Sequence, residues 1–232
     1  MSYKIRKDIK KEIFRAYDIR GIVPDDIDED VAYTIGLSFG SYISLKNNKE
    51  CILAHDNRIS SKKIYKALLK GIKTTGINII SLGEVTTPMY YYASIVKKIS
   101  CGIMVTASHN PKEYNGFKIA FDKTGNARGK MIDDFYYFTN KYKFKFGLGK
   151  VKKYNILPEY MKLLNSSVNI KKNHLKVIID TGNGTTSIFA KEIFKKYLDN
   201  FKIICGKSDG NFPNHTPDPT ILENMRMLRS EV

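Results

Sequence analysis

No stretch of this chain is apolar for anything near the ~20 residues that a membrane-spanning helix needs. The opening MSYKIRKDIKKEIF is basic, but no apolar segment with a small-residue cleavage site follows, so it does not read as a secretory signal. Cysteine is scarce. Cys51, Cys101 and Cys205 have no metal-ligand spacing, and each lies in or beside an apolar segment. An odd number of buried thiols fits a reducing cytoplasm better than a disulfide framework. Acidic residues are few as well: 23 Asp and Glu against 39 Lys and Arg give a formal net charge of +16.

That excess could neutralise the phosphates of a nucleic acid, or draw a small anionic substrate into a cleft. It could also be compositional, since the chain is rich in Lys, Ile, Asn and Tyr. The lysines are scattered, as at Lys62, Lys97, Lys152 and Lys171, and gather on no periodic face. No nucleic-acid motif accompanies them. Composition is the better account, and neither nucleic acid nor membrane is expected as a partner.

What is present supports packed cores: 42% hydrophobic and 12% aromatic residues over 232 positions, enough for one large or two modest domains. Helix and strand signals alternate, which argues α/β. Asp26 and Glu29 are spaced as a capping box for a helix from about Asp28 to Lys46. ECILAH (50–55) reads as a strand. A helix capped by Ser60 or Ser61 follows and is stopped by Gly76. Thr87-Pro88 opens another helix. The aromatic run Tyr136, Tyr137, Phe138 reads as core packing on a short helix, and the basic stretch 141–153 as a linker. Beyond it a helix near Pro158, a strand Leu175 to Asp180, a helix Thr185 to Leu198 and a strand Phe201 to Cys205 are expected. Asp180-Thr181-Gly182-Asn183-Gly184 lacks a full nucleotide fingerprint and reads as a tight turn after its strand.

The chemistry concentrates in Thr106-Ala107-Ser108-His109-Asn110-Pro111 and Tyr114-Asn115-Gly116-Phe117-Lys118. CGIMVT (101–106) and FKIAF (117–121) read as strands, with Asn110-Pro111 and Asn115-Gly116 as turn pairs between them. Ser108 then sits on a loop held by a rigid scaffold. Lys118, second in the returning strand, faces opposite to Phe117 and Ile119. A serine hydroxyl is a poor nucleophile at neutral pH, and no catalytic triad spacing surrounds it.

TASHNP…YNGFK resembles the phosphoserine loop of the α-D-phosphohexomutases, the phosphomannomutase/phosphoglucomutase family. FRAYDIRG (14–21), DTGNG (180–184) and DGNFPNH…PDP (209–219) resemble further motifs of that family, in the family's order. The resemblance implies two successive three-layer α/β/α domains with mixed sheets: domain I over residues 1–150, and domain II over 151–232, truncated at its C-terminal end. It implies an isomerase that interconverts hexose 6-phosphate and hexose 1-phosphate of mannose or glucose through a 1,6-bisphosphate. Ser108 would carry the phosphoryl group and bind Mg²⁺ through it. Lys118 would be the general acid/base, His109 would contact the phosphoryl group, and Tyr17 and Arg20 would border the substrate. Each has a plainer role as well: Arg20 could pair with Asp18 or Asp25, and His109 could cap its loop. Arg58, in Asp56-Asn57-Arg58, is a weaker candidate because His55 departs from the family's usual context.

The family's metal-binding DGDGDR loop, and its sugar and distal phosphate loops, have no counterpart before Glu231-Val232. The expectation is an N-terminal portion from a truncated or split reading frame, weak or inactive by itself, whose partners are a hexose phosphate and, in the split case, a C-terminal half on a separate chain. The alternative is a non-catalytic half-mutase that binds a sugar phosphate or a protein.

Overall fold

The structure, a computed structural model, describes residues 2–169 and 173–232. The chain divides into two compact units: Met1–Asp56, Ser60–Ala107 and Glu113–Tyr154 in one, Asn57–Ile59, Ser108–Lys112 and Asn155–Val232 in the other.

The first unit contains β1 (Ile19–Ile22), α1 (Glu29–Leu45), β2 (Glu50–His55), α2 (Ser61–Thr74), β3 (Asn78–Glu84), α3 (Thr87–Lys97), β4 (Gly102–Val105), β5 (Tyr114–Ala120), α4 (Lys130–Thr139) and β6 (Val151–Lys153). They build one six-stranded mixed sheet in the order β1-β5-β4-β2-β3-β6. β5 runs antiparallel to β1 and β4, and the other pairs are parallel. Side chains alternate faces along a strand. Cys51, Leu53, Ile103, Val105, Phe117 and Ile119 thus share one core with α1, α2 and α4, including Ile35, Phe39, Leu68 and Phe135. Ile52, Ala54 and Met104 are buried too, on the face where α3 meets β2 and β4. Phe135 and Tyr136 of α4 pack on Phe14, as the core reading of that aromatic run expects, although Tyr137 is exposed.

Helices α1 and α2 come very close. A Cβ at Gly36 would lie 2.4 Å from the Leu68 carbonyl oxygen, and one at Gly71 would lie 2.3 Å from that of Tyr33. Glycine at both positions removes the side chains that would hold the backbones apart.

Four local expectations need correction. The cap of α1 is Asp28, whose carboxylate accepts from Val31 N at 2.7 Å. Asp26 instead accepts from Ile22 N at 2.9 Å and pairs with Lys10, so the capping box lies one half-turn too early. Asn115-Gly116 is no turn: both residues lie in β5, opposite Gly21 and Arg20 of β1. Lys118 is accordingly the fifth residue of its strand, on the expected face. The stretch 141–153 is no free linker. Gly147 N and Gly149 N donate to the end of α2, and β6 pairs with β3. A pattern-poor, basic edge strand leaves little sequence signal, and its three residues are exposed.

The second unit carries α5 (Leu157–Ser167), β7 (Asn173–Asp180), α6 (Ala190–Phe194), β8 (Leu198–Ile204) and α7 (Arg226–Glu231), with β7 and β8 parallel. The single helix expected from Thr185 to Leu198 is broken: a 3-10 turn over Thr185–Ile188, then the short α6, then residues already in β8. No helix among the described residues is long and apolar enough to cross a membrane.

Candidate active site

Ser108 follows β4 at the start of the loop 108–112, with φ at 55° and its side chain exposed beside exposed His109. A left-handed serine is uncommon and must be held there by its surroundings. The holder is Arg58. Its guanidinium donates to the carbonyls of Ser108 at 2.9 Å, Asn110 at 2.6 Å and Pro111 at 2.7 Å, while the residue is only 2% exposed. A planar fork of donors suits three carbonyls arrayed along a curved backbone. The Phe212 ring stands 5.3 Å from the guanidinium carbon, a cation–π contact that helps keep the fork in place.

Arg58 is seated by its neighbour. Asn57 Nδ2 donates to the Asn183 carbonyl at 2.7 Å and to Ser208 Oγ at 2.9 Å, and Asn57 N donates to Thr185 Oγ1 at 3.0 Å. Gly210 closes over the same segment, where a Cβ would meet the Asn57 carbonyl oxygen at 2.5 Å. The 180–184 and 209–212 motifs therefore clasp Asn57–Ile59, which in turn clasps the Ser108 loop. The 180–184 segment is the tight turn the sequence suggested: Asp180 Oδ1 accepts from Gly182 N at 2.8 Å, and Asn183 is left-handed and buried.

In the first unit, Arg20 and Lys118 share a sheet face. Ile19 and Phe117 are opposite one another and wholly buried, which turns Arg20 and Gly116 to the other side, and Lys118 with them two residues on. Gly116 is required, since a Cβ would sit 2.1 Å from the Ile19 carbonyl oxygen. Arg20 forms an ion pair with buried Asp18, one of the two plainer pairings considered for it. Tyr17, just before, is 71% exposed. Asn115 braces the strand from the buried face: its Nδ2 donates to Ser60 Oγ at 2.8 Å and Ser61 Oγ at 2.9 Å, and Ser61 in turn donates to Asp56. Of the expected site residues, the structure groups Arg20 with Lys118 in the first unit, and Ser108 with His109 in the second.

Asp218, in the second unit, has its carboxyl below the ordinary range. Hydrogen bonds from the Thr220 hydroxyl and backbone N–H do most of this, with a small contribution from His109. Among the described residues only Asp180, Cys205 and His215 bring three metal-ligating side chains together. No such cluster forms at Ser108, so the residues present do not by themselves fit a dedicated Mg²⁺ site there.

The sequence model described as phosphoglucomutase/phosphomannomutase, alpha/beta/alpha domain I, matches residues 11–146, and that for domain II of the same family matches 158–232. This chain belongs to the phosphoglucomutase/phosphomannomutase family. A phosphomannomutase/phosphoglucomutase of Pseudomonas syringae pv. tomato is 36% identical over 222 residues, which are 95% of this chain and 47% of the relative. A phosphoglucomutase of Neisseria meningitidis serogroup B is 33% identical, again over 95% of this chain and 48% of its own length. The crystal structure of a phosphoglucomutase/phosphomannomutase family protein from Burkholderia thailandensis superposes with a TM-score of 0.89 at 31% identity, over 96% of this chain and 50% of that one. The chain thus spans about half the length of the phosphohexomutase relatives it matches.

Sequence reasoning undervalued Arg58 and missed the bracing by Asn57, Gly210 and Asn115. The partners of Arg58 are backbone carbonyls, which every residue offers, so no side-chain pattern announces them. The available signal was the Asp-x-Arg following a strand, together with a glycine in the 209–212 motif.

Proposed function

We propose that this chain is the phosphoryl-carrying half of a hexose phosphate mutase. Ser108 Oγ holds a phosphoryl group in the resting protein, and a hexose 1- or 6-phosphate of glucose or mannose is the substrate. The substrate's free hydroxyl attacks phosphorus, the P–O bond to Ser108 breaks, and a hexose 1,6-bisphosphate forms. That intermediate reorients and returns its other phosphate to Ser108, so the phosphoryl count on the protein is restored each cycle.

The observation that carries this reading is the Ser108 loop itself, in a chain of this family. An exposed hydroxyl sits in a strained backbone position, pinned from below by buried Arg58. Phosphoryl transfer rests on positioning and charge neutralisation rather than on covalent activation of the group. A loop that cannot sag keeps the phosphoryl group at a fixed height. Lys118 is the proton carrier for the hydroxyl that attacks and the one that leaves, and its position on a strand braced by Asn115 suits a group whose reach must be fixed. His109 contacts the phosphoryl oxygens. Arg20 forks onto the substrate phosphate, oriented by Asp18, with Tyr17 at the rim. In this scheme Mg²⁺, when bound, would lower the charge on the phosphoryl oxygens. The described residues supply it no carboxylate cluster at Ser108. The three thiols are free, which suits a cytoplasmic setting.

Incubating the chain with radiolabelled glucose 1,6-bisphosphate tests the proposal. Label is expected on the wild type and not on Ser108→Ala, and unlabelled glucose 1-phosphate should remove it. Equal labelling of both proteins would reject it.

The shortage of metal ligands at Ser108 favours one other reading, a non-catalytic half-mutase that binds sugar phosphate. Saturable hexose phosphate binding without any phosphoryl exchange would select that reading.

A further inference from the structure

The strands β7 and β8 end side by side, with Asp180 opposite Ile204 in register. Asp180 closes β7, Cys205 follows β8 directly, and the loop at His215 folds back over them. Ligands of parallel sheets collect at this carboxyl edge. Here one carboxylate oxygen, one sulfur and one imidazole nitrogen all lie within 4.8 Å of one another. The cysteine spacing in the sequence gave no hint of it, because the three residues are 25 and 10 positions apart.

The hydrogen bonds around His215 say more than the proximity does. Its Nδ1 lies 2.8 Å from the Thr216 carbonyl oxygen, which can only accept, so Nδ1 carries a proton. In the neutral ring Nε2 is then a lone-pair donor. Yet Nε2 faces Asp180 Oδ2 at 3.1 Å, a second electron-rich atom. Two acceptors at that separation need a proton or a metal ion between them. The arrangement also has the supporting contacts that metal-ligating groups carry. The far nitrogen of His215 is fixed by a backbone carbonyl, and Asp180 Oδ1 is fixed by Gly182 N at 2.8 Å. Cys205 itself is held in a left-handed conformation, φ 47°.

We propose that Asp180 Oδ2, Cys205 Sγ and His215 Nε2 form a Zn²⁺ site with one open coordination position. Sulfur, nitrogen and one carboxylate oxygen are the donor set zinc takes, and hard cations such as Mg²⁺ avoid thiolate. Tetrahedral bonds of about 2.0–2.3 Å place neighbouring ligand atoms roughly 3.3–3.8 Å apart. The Nε2–Oδ2 separation is already near this, and the sulfur lies within 4.8 Å of both. Burial and the neighbouring Asp180 hold the Cys205 thiol above its ordinary pKa in the metal-free protein. Zinc therefore displaces two protons, the one on the Cys205 thiol and the one held between His215 Nε2 and Asp180 Oδ2, and both leave to solvent as Cys–S⁻–Zn²⁺ forms. The site is independent of the phosphoryl-carrier reading, and either can fail alone.

The test uses the full chain, stripped with a chelator and dialysed. Zn²⁺ affinity is read by competition with a chromophoric chelator, and Co²⁺ serves as a spectroscopic stand-in. One tight site per chain is expected, with a thiolate-to-cobalt charge-transfer band and release of about two protons per metal. Cys205→Ser and His215→Gln should each weaken Zn²⁺ at least about tenfold and abolish that band. Should a variant fail to fold, alkylation of wild-type Cys205 decides, because at 9% it is the most exposed of the three thiols, against 0% for Cys51 and 2% for Cys101. Zn²⁺ should protect Cys205 from the reagent. A cobalt spectrum without the charge-transfer band, or unchanged alkylation with Zn²⁺, overturns the site and leaves a His215–Asp180 hydrogen bond in its place.

Discussion

Arg58 Nη2 donates to the carbonyl of Ser108 at 2.9 Å, so a buried cation holds the backbone of the residue assigned to carry phosphate. The same guanidinium holds Asn110 and Pro111. Truncation to Arg58→Ala strands three carbonyls at once, each worth roughly 1 kcal/mol or more. The expected loss on denaturant unfolding is about 2–4 kcal/mol, with faster amide exchange across 106–113. Arg58→Lys keeps the charge but not the fork, and should restore stability more than loop protection. Unchanged exchange in Arg58→Ala would mean that the loop needs no anchor.

Lys118 sits on β5 with its neighbours Phe117 and Ile119 wholly buried behind it. Lys118→Met keeps the length of the stem and removes the proton. Transfer from phosphorylated Ser108 to a hexose phosphate should slow by about 10²–10⁴, the usual worth of a general acid/base. The unfolding midpoint should stay unchanged. An unaltered single-turnover rate would remove Lys118 from the chemistry.

The contact of α1 with α2 rests on Gly36 and Gly71. A methyl at either meets backbone, which cannot swing aside as a side chain can. Gly36→Ala and Gly71→Ala should each cost about 1–3 kcal/mol by overpacking, despite alanine's better helix propensity. Thermal unfolding monitored by circular dichroism reads this directly.

Asp122 has its carboxyl pulled down to about 2 by the Thr124 hydroxyl and backbone N–H, then by Lys46 at 2.9 Å. A carboxylate ionises near 3.9 in the unfolded chain. A depressed folded value means the contribution is present above about pH 4 and is lost as pH falls toward 2. Asp122 and Lys46 are each about a third exposed, so the ion pair adds less than about 1 kcal/mol. The stability gap between wild type and Asp122→Asn should be flat from pH 7 to 5 and shrink below 4. A gap that widens on acidification would contradict the assignment.

Much of the fold was legible because its signals are local. The Thr87-Pro88 start, the apolar strands and the aromatic face of α4 all announce themselves within a few residues. The errors arose where distant partners decide. Asn115-Gly116 carries turn chemistry, yet Asn115 is held by Ser60 and Ser61 while Gly116 admits β1. The stretch 141–153 has no strand pattern, and its place is set by β3 and the end of α2. For the candidate site, the proposed residues Ser108, Lys118 and Arg20 were visible as residues in motifs. The support of Arg58, Asn57 and Gly210 was not, since it runs through backbone atoms common to every residue.

The account stands or falls on whether Ser108 carries phosphate. The most direct measurement is peptide mass spectrometry of the chain after exposure to glucose 1,6-bisphosphate, before and after a chase with glucose 1-phosphate. The account predicts one phosphoryl group on the peptide containing Ser108, localised to that residue and removed by the chase. A peptide that stays unmodified, or a phosphoryl group on another residue, would contradict it.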